Sequence, residues 1–488
     1  MASVLDWAVQ VLVYSLILAM FAALLLVVVL YFVDTRQTQS TIRRNYPVIG
    51  RFRYWFEHLG EFFRQYFFAM DREEMPFNRA MRAWVYRAAK GLSTYTAFGS
   101  TRNNLVVGDP HFVNAAYPVL DSEIHDAKLI EFGPYCETPY KTRSFFNISG
   151  MSFGALSVPA VTSLSKGAAL AGCWLNTGEG GLSPHHLAGN ADIVFQMGTA
   201  KYGVRDSDGN LSESKLAVLA ANPQVKMIEI KLSQGAKPGK GGILPADKVT
   251  AEIAAIRGIP AGHPSNSPNR HTDVNNDEEL LNLINRVRSV SGKPVGIKVV
   301  LGGRDWLSGF CESILQRGIE SAPDFITLDS ADGGTGAAPQ SLMDFMGLPL
   351  RESLPLLVDE LLAKGLRERI KVIASGKLIT PGYVAQALAT GADVVVTARG
   401  FMFALGCIQA MQCNKNTCPT GITTHDKRLQ KGLDPTNKAA RVASYHAQMV
   451  HDIEVIAHSC GLAEPSQLRR EHVRIVQANG RSIPLLEL

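Results

Sequence analysis

The sequence predicts a TIM (β/α)8 barrel with an N-terminal transmembrane helix and a helical C-terminal cap. Three observations predict the barrel. Short apolar runs recur between helix-length segments, the runs are continuous rather than alternating, and glycine or serine follows most of them. Continuous apolar runs are typical of parallel strands that are buried on both faces. Eight strand–helix units between residues 145 and 400 fit a closed barrel better than an open doubly wound sheet, which is the alternative.

The predicted strands begin at residue 146 and recur along the chain. Their predicted ranges are Phe146–Met151, Cys173–Asn176, Ile193–Met197, Met227–Leu232, Val295–Val300, Phe325–Asp329, Lys371–Ala374 and Asp393–Thr397. Barrels of this kind carry their active sites on the loops that follow the strands. Functional residues are therefore expected at the C-terminal ends of these strands.

Composition and charge exclude several classes of protein. The chain has 488 residues, of which 46% are apolar and 19% are charged, so it can bury a large core and is not intrinsically disordered. The net charge of +5 is too small to indicate nucleic-acid binding, and no nucleic-acid partner is predicted. Seven cysteines, a small and odd number, argue against a disulfide framework and favour a reducing compartment.

The apolar run from Trp7 to Val33 is predicted to be a transmembrane helix, and residues 1–33 form the anchor. At about 1.5 Å per residue the helix would reach about 40 Å, enough to cross a bilayer with some tilt. A cleaved signal peptide would require basic residues before the run, and no lysine or arginine is present there. Arg36, Arg43 and Arg44 instead follow the run. The positive-inside rule then predicts a single-pass membrane protein with residues 34–488 on the cytoplasmic side.

Three further segments are distinguished after the anchor. Residues 34–103 carry 12 Lys/Arg against 6 Asp/Glu and many aromatic side chains. This juxtamembrane helical segment is expected to contact an anionic lipid surface, to pack on the main domain, or both. The barrel domain is assigned to residues 104–430. Residues 431–488 begin with an amphipathic pattern that stops at Gly461, and they are predicted to form a helical C-terminal extension.

Glycine-rich loops follow several of the predicted strands. The loops after strands six, seven and eight read DSADGGTGAAP, ASGKL and TARGF, and they include the basic residues Lys377 and Arg399. Loops after the last two strands form the usual phosphate site of a barrel, so the sequence predicts a cofactor that carries a phosphate. The chain has no GxGxxG in a βαβ unit and no GxxxxGK[ST], which argues against dinucleotide and P-loop sites.

Charged residues occur at three places in or directly after the predicted barrel strands. Glu179 lies between glycines in NTGEGG, where it can do acid–base work or remain a solvated turn residue. Lys237 belongs to the loop IKLSQGAKPGKGG, which is suited to binding a carboxylate or phosphate. Lys298 stands inside the apolar strand VGIKVV, where a lysine is costly unless it meets an anion.

Three of the seven cysteines cluster after the eighth strand. Cys407, Cys413 and Cys418 have the spacing C-x5-C-x4-C and are followed by Pro419. Zinc sites use closer cysteine pairs, so three thiolates without a nearby fourth favour a cuboidal iron–sulfur cluster that lacks one iron. Zinc with His425 as a fourth ligand and unliganded reduced thiols are the alternatives.

Taken together, the loops resemble those of a known family. The motifs SGMSFGALS, NTGEGG, EIKLSQGAKPG, IKVV, DGGTGA and C-x5-C-x4-C-P occur in the order found in the FMN-binding synthase domain of glutamate synthases. The resemblance covers about residues 140–430, and the whole chain looks like a stand-alone protein related to the glutamate synthase large subunit. It implies a TIM barrel that holds FMN and a [3Fe–4S] cluster.

The resemblance also implies roles for individual residues. Cys407, Cys413 and Cys418 would hold the cluster. Glu179 and Lys237 would face a 2-oxo acid, with Lys237 pairing with its carboxylate. The residues implied to surround FMN are Met151, Ser152, Asn176, Lys298, Asp332, Gly333, Gly334, Gly376, Lys377, Arg399 and Gly400.

The activity implied by the resemblance is the reduction of a 2-imino acid, formed from 2-oxoglutarate and ammonia, to an L-amino acid. Electrons would pass through the cluster to the flavin. A glutaminase domain and an NAD(P)H-binding motif are both absent from the sequence. Ammonia is therefore expected to be free or to come from another protein, and electrons from a ferredoxin, a partner flavoprotein or a membrane donor.

Two departures from the family pattern leave the substrate open. Lys240 replaces an acidic residue, and Ile243 replaces a glutamine that in the family contacts the 2-oxo acid. The alternative function is therefore an FMN-dependent dehydrogenase of a different amino or hydroxy acid that passes electrons to a membrane acceptor. A third hypothesis, a non-enzymatic electron-transfer subunit, is opposed by the presence of Glu179, Lys237 and Lys298.

Overall fold

The computed structural model describes residues 2–488, except for the side chains of Ala2 and Phe62. The chain divides into two units, one that ends at Arg79 and one that comprises Ala80–Leu488. Residues 80–103, which the sequence analysis groups with the juxtamembrane segment, therefore belong to the unit that contains the barrel.

Helices make up most of the first unit. They are α1 (Ala2–Arg36), α2 (Thr41–Asn45) and α3 (Gly50–Phe63), which continues into a π-helical turn at Arg64–Phe68. Among the residues that the structure describes, α1 is the one helix long and apolar enough to cross a membrane, judged by length and composition alone. It has no charged side chain between Asp6 and Asp34, so most of its surface is apolar.

Eight parallel strands close into a barrel in the second unit. The strands of the chain are β1 (Pro110–Phe112), β2 (Ile130–Phe132), β3 (Tyr140–Thr142), β4 (Phe146–Ile148), β5 (Leu175–Asn176), β6 (Ile193–Met197), β7 (Val225–Lys231), β8 (Ile243–Leu244), β9 (Ser265–Asn266), β10 (Val295–Val300), β11 (Phe325–Asp329), β12 (Lys371–Ser375), β13 (Val394–Thr397), β14 (Val473–Val476) and β15 (Ser482–Pro484). The barrel order is β4, β5, β6, β7, β10, β11, β12 and β13, and β13 pairs with β4 to close it. All eight predicted barrel strands are confirmed, and the open doubly wound sheet is excluded.

Helices connect the strands around the barrel. Those of the second unit and its boundary are α4 (Arg79–Ala89), α5 (Val158–Ala171), α6 (Pro184–Leu187), α7 (Glu213–Ala220), α8 (Ala251–Arg257), α9 (Asp277–Ser291), α10 (Asp305–Arg317), α11 (Gln340–Phe345), α12 (Leu350–Ala363), α13 (Pro381–Thr390), α14 (Arg399–Leu405), α15 (Lys427–Gln430) and α16 (Pro435–Ser459). Their ends follow from local chemistry. For example, Ser157 caps the first turn of α5 by accepting a hydrogen bond from the amide of Ala160, and Gly172, at a φ of 68°, ends that helix.

The β2–β3 hairpin packs against residues at the N-terminal end of the barrel strands. The Phe132 ring lies 5.9 Å from Trp174 and 5.8 Å from Phe325, measured between ring centroids, and all three side chains are buried. This apolar plug occupies one end of the barrel, which leaves the loops at the C-terminal ends of the strands to form a functional site.

The prediction of a helical C-terminal extension was right for α16 but wrong for the residues that follow it. Beyond Ser459 the chain forms β14 and β15, which pair antiparallel with each other, and β14 also pairs with β1. In β14 the apolar residues Val473 and Ile475 alternate with Arg474, a strand pattern, and Asn479–Gly480 provides the turn of the hairpin. The alternation and the Asn–Gly pair outweigh any helical tendency here.

Candidate active site

The loops at the C-terminal ends of the barrel strands bring the predicted catalytic residues together. Glu179 lies in a 3-10 turn, Gly178–Gly180, directly after β5, and its Oε2 is 2.9 Å from the Nζ of Lys231 at the end of β7. The Glu179 side chain packs closely against the backbone of Gly198 and Gly242, because these residues have no side chains. A Cβ atom on Gly242 would lie 2.5 Å from Oε1 of Glu179, and one on Gly198 would lie 2.7 Å from its Cβ.

Three basic side chains control the charge of Glu179. Burial by itself raises the pKa of this carboxyl, but Lys231, Lys237 and Arg257 outweigh burial and hold its pKa below the usual value. Glu179 is therefore an anion that is paired on one side and surrounded by positive charge. Sequence analysis identified Glu179 without its partner, because Lys231 is separated from it by more than fifty residues of chain.

Lys237 and Arg257 are both buried beside this pair. Burial lowers the pKa of Lys237 to about 8, although the nearby Glu179 opposes that change. Arg257, at the end of α8, donates to the hydroxyl of Ser265 at 3.0 Å, and its guanidinium carbon lies 5.1 Å from the centre of the Tyr202 ring. The cluster of one carboxylate and three basic groups therefore has surplus positive charge, which suits an anionic substrate.

A second carboxylate, Glu229 of β7, is buried inside the barrel. Its Oε1 accepts hydrogen bonds from the side-chain amides of Asn176 at 2.9 Å and Gln196 at 2.5 Å, and its Oε2 accepts one from the hydroxyl of Thr327 at 2.6 Å. These bonds satisfy a carboxylate that would otherwise be costly to bury. They also fix Asn176, whose Oδ1 accepts from the amide of Gly178 at 2.9 Å, in the turn that carries Glu179.

Lys298 of β10 pairs with Asp329 at the end of β11. Its Nζ lies 3.2 Å from Oδ2 of Asp329, an oxygen that also accepts a hydrogen bond from the amide of Gly235 at 3.0 Å. Burial lowers the pKa of Lys298, but the carboxylates of Asp329 and Glu229 outweigh burial and raise it above the usual value. The ammonium is therefore retained inside the apolar strand, because anions surround it.

The glycine-rich loops form a tightly packed surface near this pair. A Cβ atom on Gly333 would lie 2.6 Å from Oδ1 of Asp329, and one on Gly376, at a φ of 141°, would lie 2.1 Å from Oγ of Ser330. The Ser330 hydroxyl is buried and has no hydrogen-bond partner among the residues that the structure describes. Buried hydroxyls normally have a hydrogen-bond partner. The Ser330 hydroxyl could therefore bind a ligand, and the neighbouring glycines would allow that ligand to approach the backbone closely.

Arg399, the first residue of α14, lies between the Gly334 loop and the cysteines. Its Nη2 donates to the carbonyl of Thr335 at 2.7 Å, and a Cβ atom on Gly334 would lie 3.0 Å from its Nε. Its Nη1 is 3.9 Å from Sγ of Cys413. One guanidinium therefore contacts both the glycine-rich loop and the segment that carries the three cysteines, residues 406–426 between α14 and α15, which we call the cysteine loop.

Four other predicted cofactor residues have different surroundings. Met151 and Ser152 lie against the Glu179 turn, because a Cβ atom on Gly178 would be 2.6 Å from the amide of Ser152. Asp332 accepts a hydrogen bond from the amide of Leu350 at 2.9 Å. Gly400 accommodates α16, since a Cβ atom there would lie 2.3 Å from the hydroxyl of Tyr445. Close packing against α16 is sufficient to explain a glycine at position 400, and no bound cofactor is needed to explain it.

The three cysteines of the predicted cluster lie close to one another. The pKa of Cys407 is raised to about 11, mainly by burial and in smaller part by the charges of Cys413 and Cys418. Burial also opposes the thiolate of Cys418, but hydroxyl and amide donors of Thr420 and Thr423 outweigh burial and lower its pKa. Donors to sulfur stabilise thiolate ligands of a metal centre.

The cysteine loop does not have the geometry of a single-ion site. Among residues 2–488, no group of three or more His, Cys, Asp or Glu side chains is placed to hold one metal ion. The Nε2 of His425, the residue considered as a fourth zinc ligand, lies 2.8 Å from the carbonyl of Gly154. The described residues therefore do not place His425 with the three cysteines as a zinc site.

A buried lysine ties the cysteine loop to the loop after the first barrel strand. The Nζ of Lys248 donates to the carbonyls of Ala155 at 3.0 Å, Cys413 at 3.2 Å and Thr423 at 2.8 Å, and the side chain is 2% exposed. Sequence reasoning did not identify Lys248, and it also missed Glu229 and Arg257. Glu229 interrupts the apolar strand VKMIEIK and could have been found by the argument that identified Lys298.

Comparisons with known proteins identify the family. A family model described as a conserved region in glutamate synthase matches residues 108–463. The glutamate synthase large subunit-like protein YerD of Bacillus subtilis (strain 168) is 39% identical, and the match covers 93% of both chains. An archaeal glutamate synthase [NADPH] of Methanocaldococcus jannaschii is 36% identical over 70% of this chain and 64% of that protein. The chain belongs to the glutamate synthase family.

Proposed function

We propose that the protein is an FMN- and iron–sulfur-dependent oxidoreductase that reduces a 2-imino acid, formed from 2-oxoglutarate and ammonia, to an L-amino acid. Family membership supports glutamate synthase chemistry in general. The substrates, the cofactors, the cluster and the site residues are our proposal.

The observation that carries the proposal is the charged cluster around Glu179. One carboxylate, 2.9 Å from Lys231, faces two further buried basic groups, Lys237 and Arg257. A 2-oxo dicarboxylate brings two negative charges, which balance the surplus of positive charge, and Lys237 is the proposed partner of one substrate carboxylate. Glu179 is the proposed acid–base residue, because its carboxylate is close to Lys231 and can exchange a proton with an amine or imine nitrogen.

The loops after β11, β12 and β13 fit FMN. Gly333, Gly334 and Gly376 leave room for a close ligand, the buried hydroxyl of Ser330 lacks a partner among the described residues, and Lys377 and Arg399 supply positive charge for a phosphate. Met151, Ser152 and Asn176 are the proposed residues beside the ring. Reduced FMN would supply a hydride to the imine carbon.

The protein's own side chains have distinct roles in this proposal. Lys298, held as an ammonium by Asp329 and Glu229, provides a fixed positive charge near the proposed flavin site. Glu229 holds Asn176 and Gln196 in place. Asp332 contributes through its bond to the Leu350 amide, which orders the loop that contains Gly333 and Gly334.

The cysteine loop fits a [3Fe–4S] cluster held by Cys407, Cys413 and Cys418. Support comes from three neighbouring thiols with donors to their sulfurs, together with Arg399 at 3.9 Å from Cys413, which adds positive charge against thiolates. Arg399 contacts both this loop and the glycine-rich loop, so the two proposed cofactor sites are neighbours. Short separation favours electron transfer from the cluster to the flavin.

The proposal includes a membrane anchor and a separate electron donor. We assign membrane attachment to residues 7–33 of α1, with the second unit in the cytoplasm, on length, composition and the arginines that follow. The electron donor is proposed to be a ferredoxin or a partner flavoprotein. Several relatives are named as NADPH-dependent enzymes, and this chain carries no recognised nucleotide fingerprint of its own.

One observation favours the second candidate, a dehydrogenase of a different amino or hydroxy acid that passes electrons to a membrane acceptor. Ile243, at the position where the family pattern has a substrate-binding glutamine, lies in the short ribbon β8–β9 and is 38% exposed. An isoleucine offers no hydrogen bond to a substrate, so a carboxylate that needs one there would bind weakly.

The experiment uses full-length protein in detergent under anaerobic conditions, first assayed for FMN and iron. The flavin is reduced photochemically and mixed with ammonium and a series of 2-oxo acids, and reoxidation is followed by absorbance. The proposal predicts the fastest reoxidation with 2-oxoglutarate and none without ammonium. Rapid reduction of oxidised flavin by another amino or hydroxy acid, with no reoxidation by 2-oxoglutarate, would establish the second candidate instead.

A further inference from the structure

Helix α3 of the first unit carries an exposed apolar stripe. Phe52, Trp55, Phe56, Leu59 and Phe63 recur at intervals of three and four residues, so they share one side of the helix. Phe52, Trp55 and Phe56 are 55%, 54% and 61% exposed. Three large side chains in water cost free energy, which indicates that the stripe contacts something other than water.

The opposite side of α3 is polar. Arg53, Glu57 and Glu61 recur every four residues between the apolar positions and lie on the other side of the helix. A helix with one aromatic side and one charged side is typical of segments that lie in the plane of a membrane surface. Long arginine side chains at its edges can reach the headgroups while their stems remain apolar.

A buried ionic cluster fixes where α3 begins. The carboxylate of Asp34, in the last turn of α1, is inaccessible to solvent and pairs with Arg43 and Arg51, each at 2.7 Å. It also accepts a hydrogen bond from the amide of Val48 at 3.1 Å. Because Arg51 is in the first turn of α3, that turn is held beside the end of α1. We refer to these contacts as the Asp34 clamp.

The clamp places the stripe at a defined depth. The apolar part of α1 ends at Val33, one residue before Asp34, so α3 starts where the hydrocarbon region of a bilayer crossed by α1 would end. Tryptophan and other aromatic residues prefer this interfacial region. The stripe therefore begins close in sequence to the end of the apolar part of α1 and has the composition that suits the headgroup boundary.

We propose that α3 lies in the headgroup–acyl boundary of the bilayer that α1 crosses, with Phe52, Trp55 and Phe56 inserted, and that the Asp34 clamp holds it there. The proposal rests on the membrane anchoring proposed above. The first unit would then attach at two points, a spanning helix and a surface helix, and would fix the orientation of the chain as it leaves the membrane. The competing occupant of the stripe is a protein that packs against it, and the experiment distinguishes protein from lipid.

The test is photocrosslinking of full-length protein in vesicles of phosphatidylcholine and phosphatidylglycerol. A benzophenone amino acid replaces Phe56, Glu57 or Leu18 in separate preparations, and adducts are identified by mass spectrometry. We expect lipid adducts at positions 18 and 56 and few at position 57. Protein adducts instead of lipid at position 56, or equal lipid labelling at positions 56 and 57, would overturn the proposal. Absence of lipid adducts at position 18 would instead show that the anchoring itself fails.

The clamp is tested by Asp34→Ala and Asp34→Asn in the background that carries benzophenone at position 56. Either change removes the charge that holds Arg43 and Arg51, so we expect lipid labelling at position 56 to fall severalfold. The same two changes in a separate preparation that carries benzophenone at position 18 should leave the labelling at that position unchanged. The FMN content of each preparation reports that the second unit is folded. Unchanged labelling at position 56 in both variants would show that the clamp does not hold α3 at the membrane.

Discussion

At the scale of single residues, Glu179 is the group on which the proposed chemistry depends most. Its carboxylate is 2.9 Å from Lys231, and its pKa is held low by three basic neighbours. Such a group can accept a proton only when substrate charge offsets those neighbours. Binding of an anionic substrate would therefore be coupled to the acid–base step.

Replacing Glu179 tests this role. Glu179→Gln keeps the size of the side chain but removes its charge and its ability to take a proton, so we expect turnover to fall by about 10²–10⁴-fold with FMN retained. Stopped-flow reoxidation of the flavin measures the effect. The matched control is Glu213→Gln, on the exposed side of α7, which should behave as wild type. Full activity in Glu179→Gln would exclude Glu179 from catalysis.

The pH dependence of substrate binding tests Lys237. Burial lowers the pKa of this lysine to about 8, so its ammonium form predominates at neutral pH and is lost as pH rises through about 8. A neutral lysine cannot pair with a carboxylate. We therefore expect the Kd of 2-oxoglutarate for the oxidised enzyme to rise up to about tenfold per pH unit above that value.

Spectral titration of the flavin in the absence of ammonium measures this Kd without interference from the titration of ammonia. Lys237→Met should bind 2-oxoglutarate weakly and show little of this pH dependence. Lys240→Met, which removes an exposed lysine from the same loop, is the control and should keep it. A wild-type Kd that is flat between neutral and alkaline pH would contradict the assignment.

Sequence reasoning at this scale found residues that break a local pattern and missed those whose meaning depends on the fold. Lys298 stands out as a charge in an apolar strand, and Glu179 as a carboxylate among glycines. Arg257 lies on a short helix and approaches Glu179 only through folding. Lys248 looks like an ordinary surface lysine, yet it is buried against three carbonyls contributed by two distant loops.

At the scale of elements, Lys248 connects the loop after β4 with the cysteine loop. Lys248→Met would leave three buried carbonyls without their donor, and we expect a loss of about 2 kcal/mol in the free energy of unfolding. Iron bound per protein should fall, because the cysteine loop loses its attachment. Thermal unfolding and iron analysis measure the two effects.

Two variants make the Lys248 result specific. Lys248→Arg keeps the positive charge and several donors, so it should restore part of the iron content. Lys226→Met removes a half-exposed lysine that is 3.7 Å from Asp192 and should leave both measurements unchanged. Normal iron content and stability in Lys248→Met would show that the three hydrogen bonds do not hold the loop.

The opposite end of the barrel is predicted to affect stability without affecting the site. Asp324 is buried there, paired with Arg288 at 3.1 Å and Arg369 at 2.9 Å, and it accepts a hydrogen bond from the amide of Val295 at 2.8 Å. Asp324→Asn leaves two arginines without a buried counter-ion, so we expect a loss of about 3 kcal/mol. The Kd for 2-oxoglutarate at low temperature should be unchanged.

Chemical denaturation measures the stability of Asp324→Asn. Asp359→Asn, which breaks an exposed pair with Arg470, is its control and should have little effect. A large change in substrate binding without a loss of stability in Asp324→Asn would show that the two ends of the barrel are not independent.

The barrel elements were predictable because their signal is local. Fully buried parallel strands read as continuous apolar runs, and β6, β10 and β11 have the predicted bounds. The β8–β9 ribbon has two residues per strand and no such signal. The β14–β15 hairpin did carry a signal, Asn479–Gly480 between apolar residues, but the amphipathic α16 that precedes it led to the extension of the helical prediction.

At the scale of the whole molecule, the proposed function requires three sites to work together: a substrate site around Glu179, a phosphate-binding set of loops, and the cysteine loop. Arg399 contacts the last two of these, and Lys248 fastens the cysteine loop to the loop that precedes α5. Lys240 and Ile243 depart from the family pattern in the loop proposed to bind the substrate. The identity of the product is therefore the sharpest test of the proposed function.

The most direct measurement is therefore product formation in a single turnover. Full-length protein with photochemically reduced flavin is mixed anaerobically with 2-oxoglutarate and ¹⁵N-ammonium, and labelled glutamate is quantified by mass spectrometry. The account predicts labelled glutamate in proportion to flavin reoxidised, and none with Glu179→Gln. Reduced flavin that persists, or reoxidises without labelled glutamate, in protein that contains FMN and iron would contradict the proposed function.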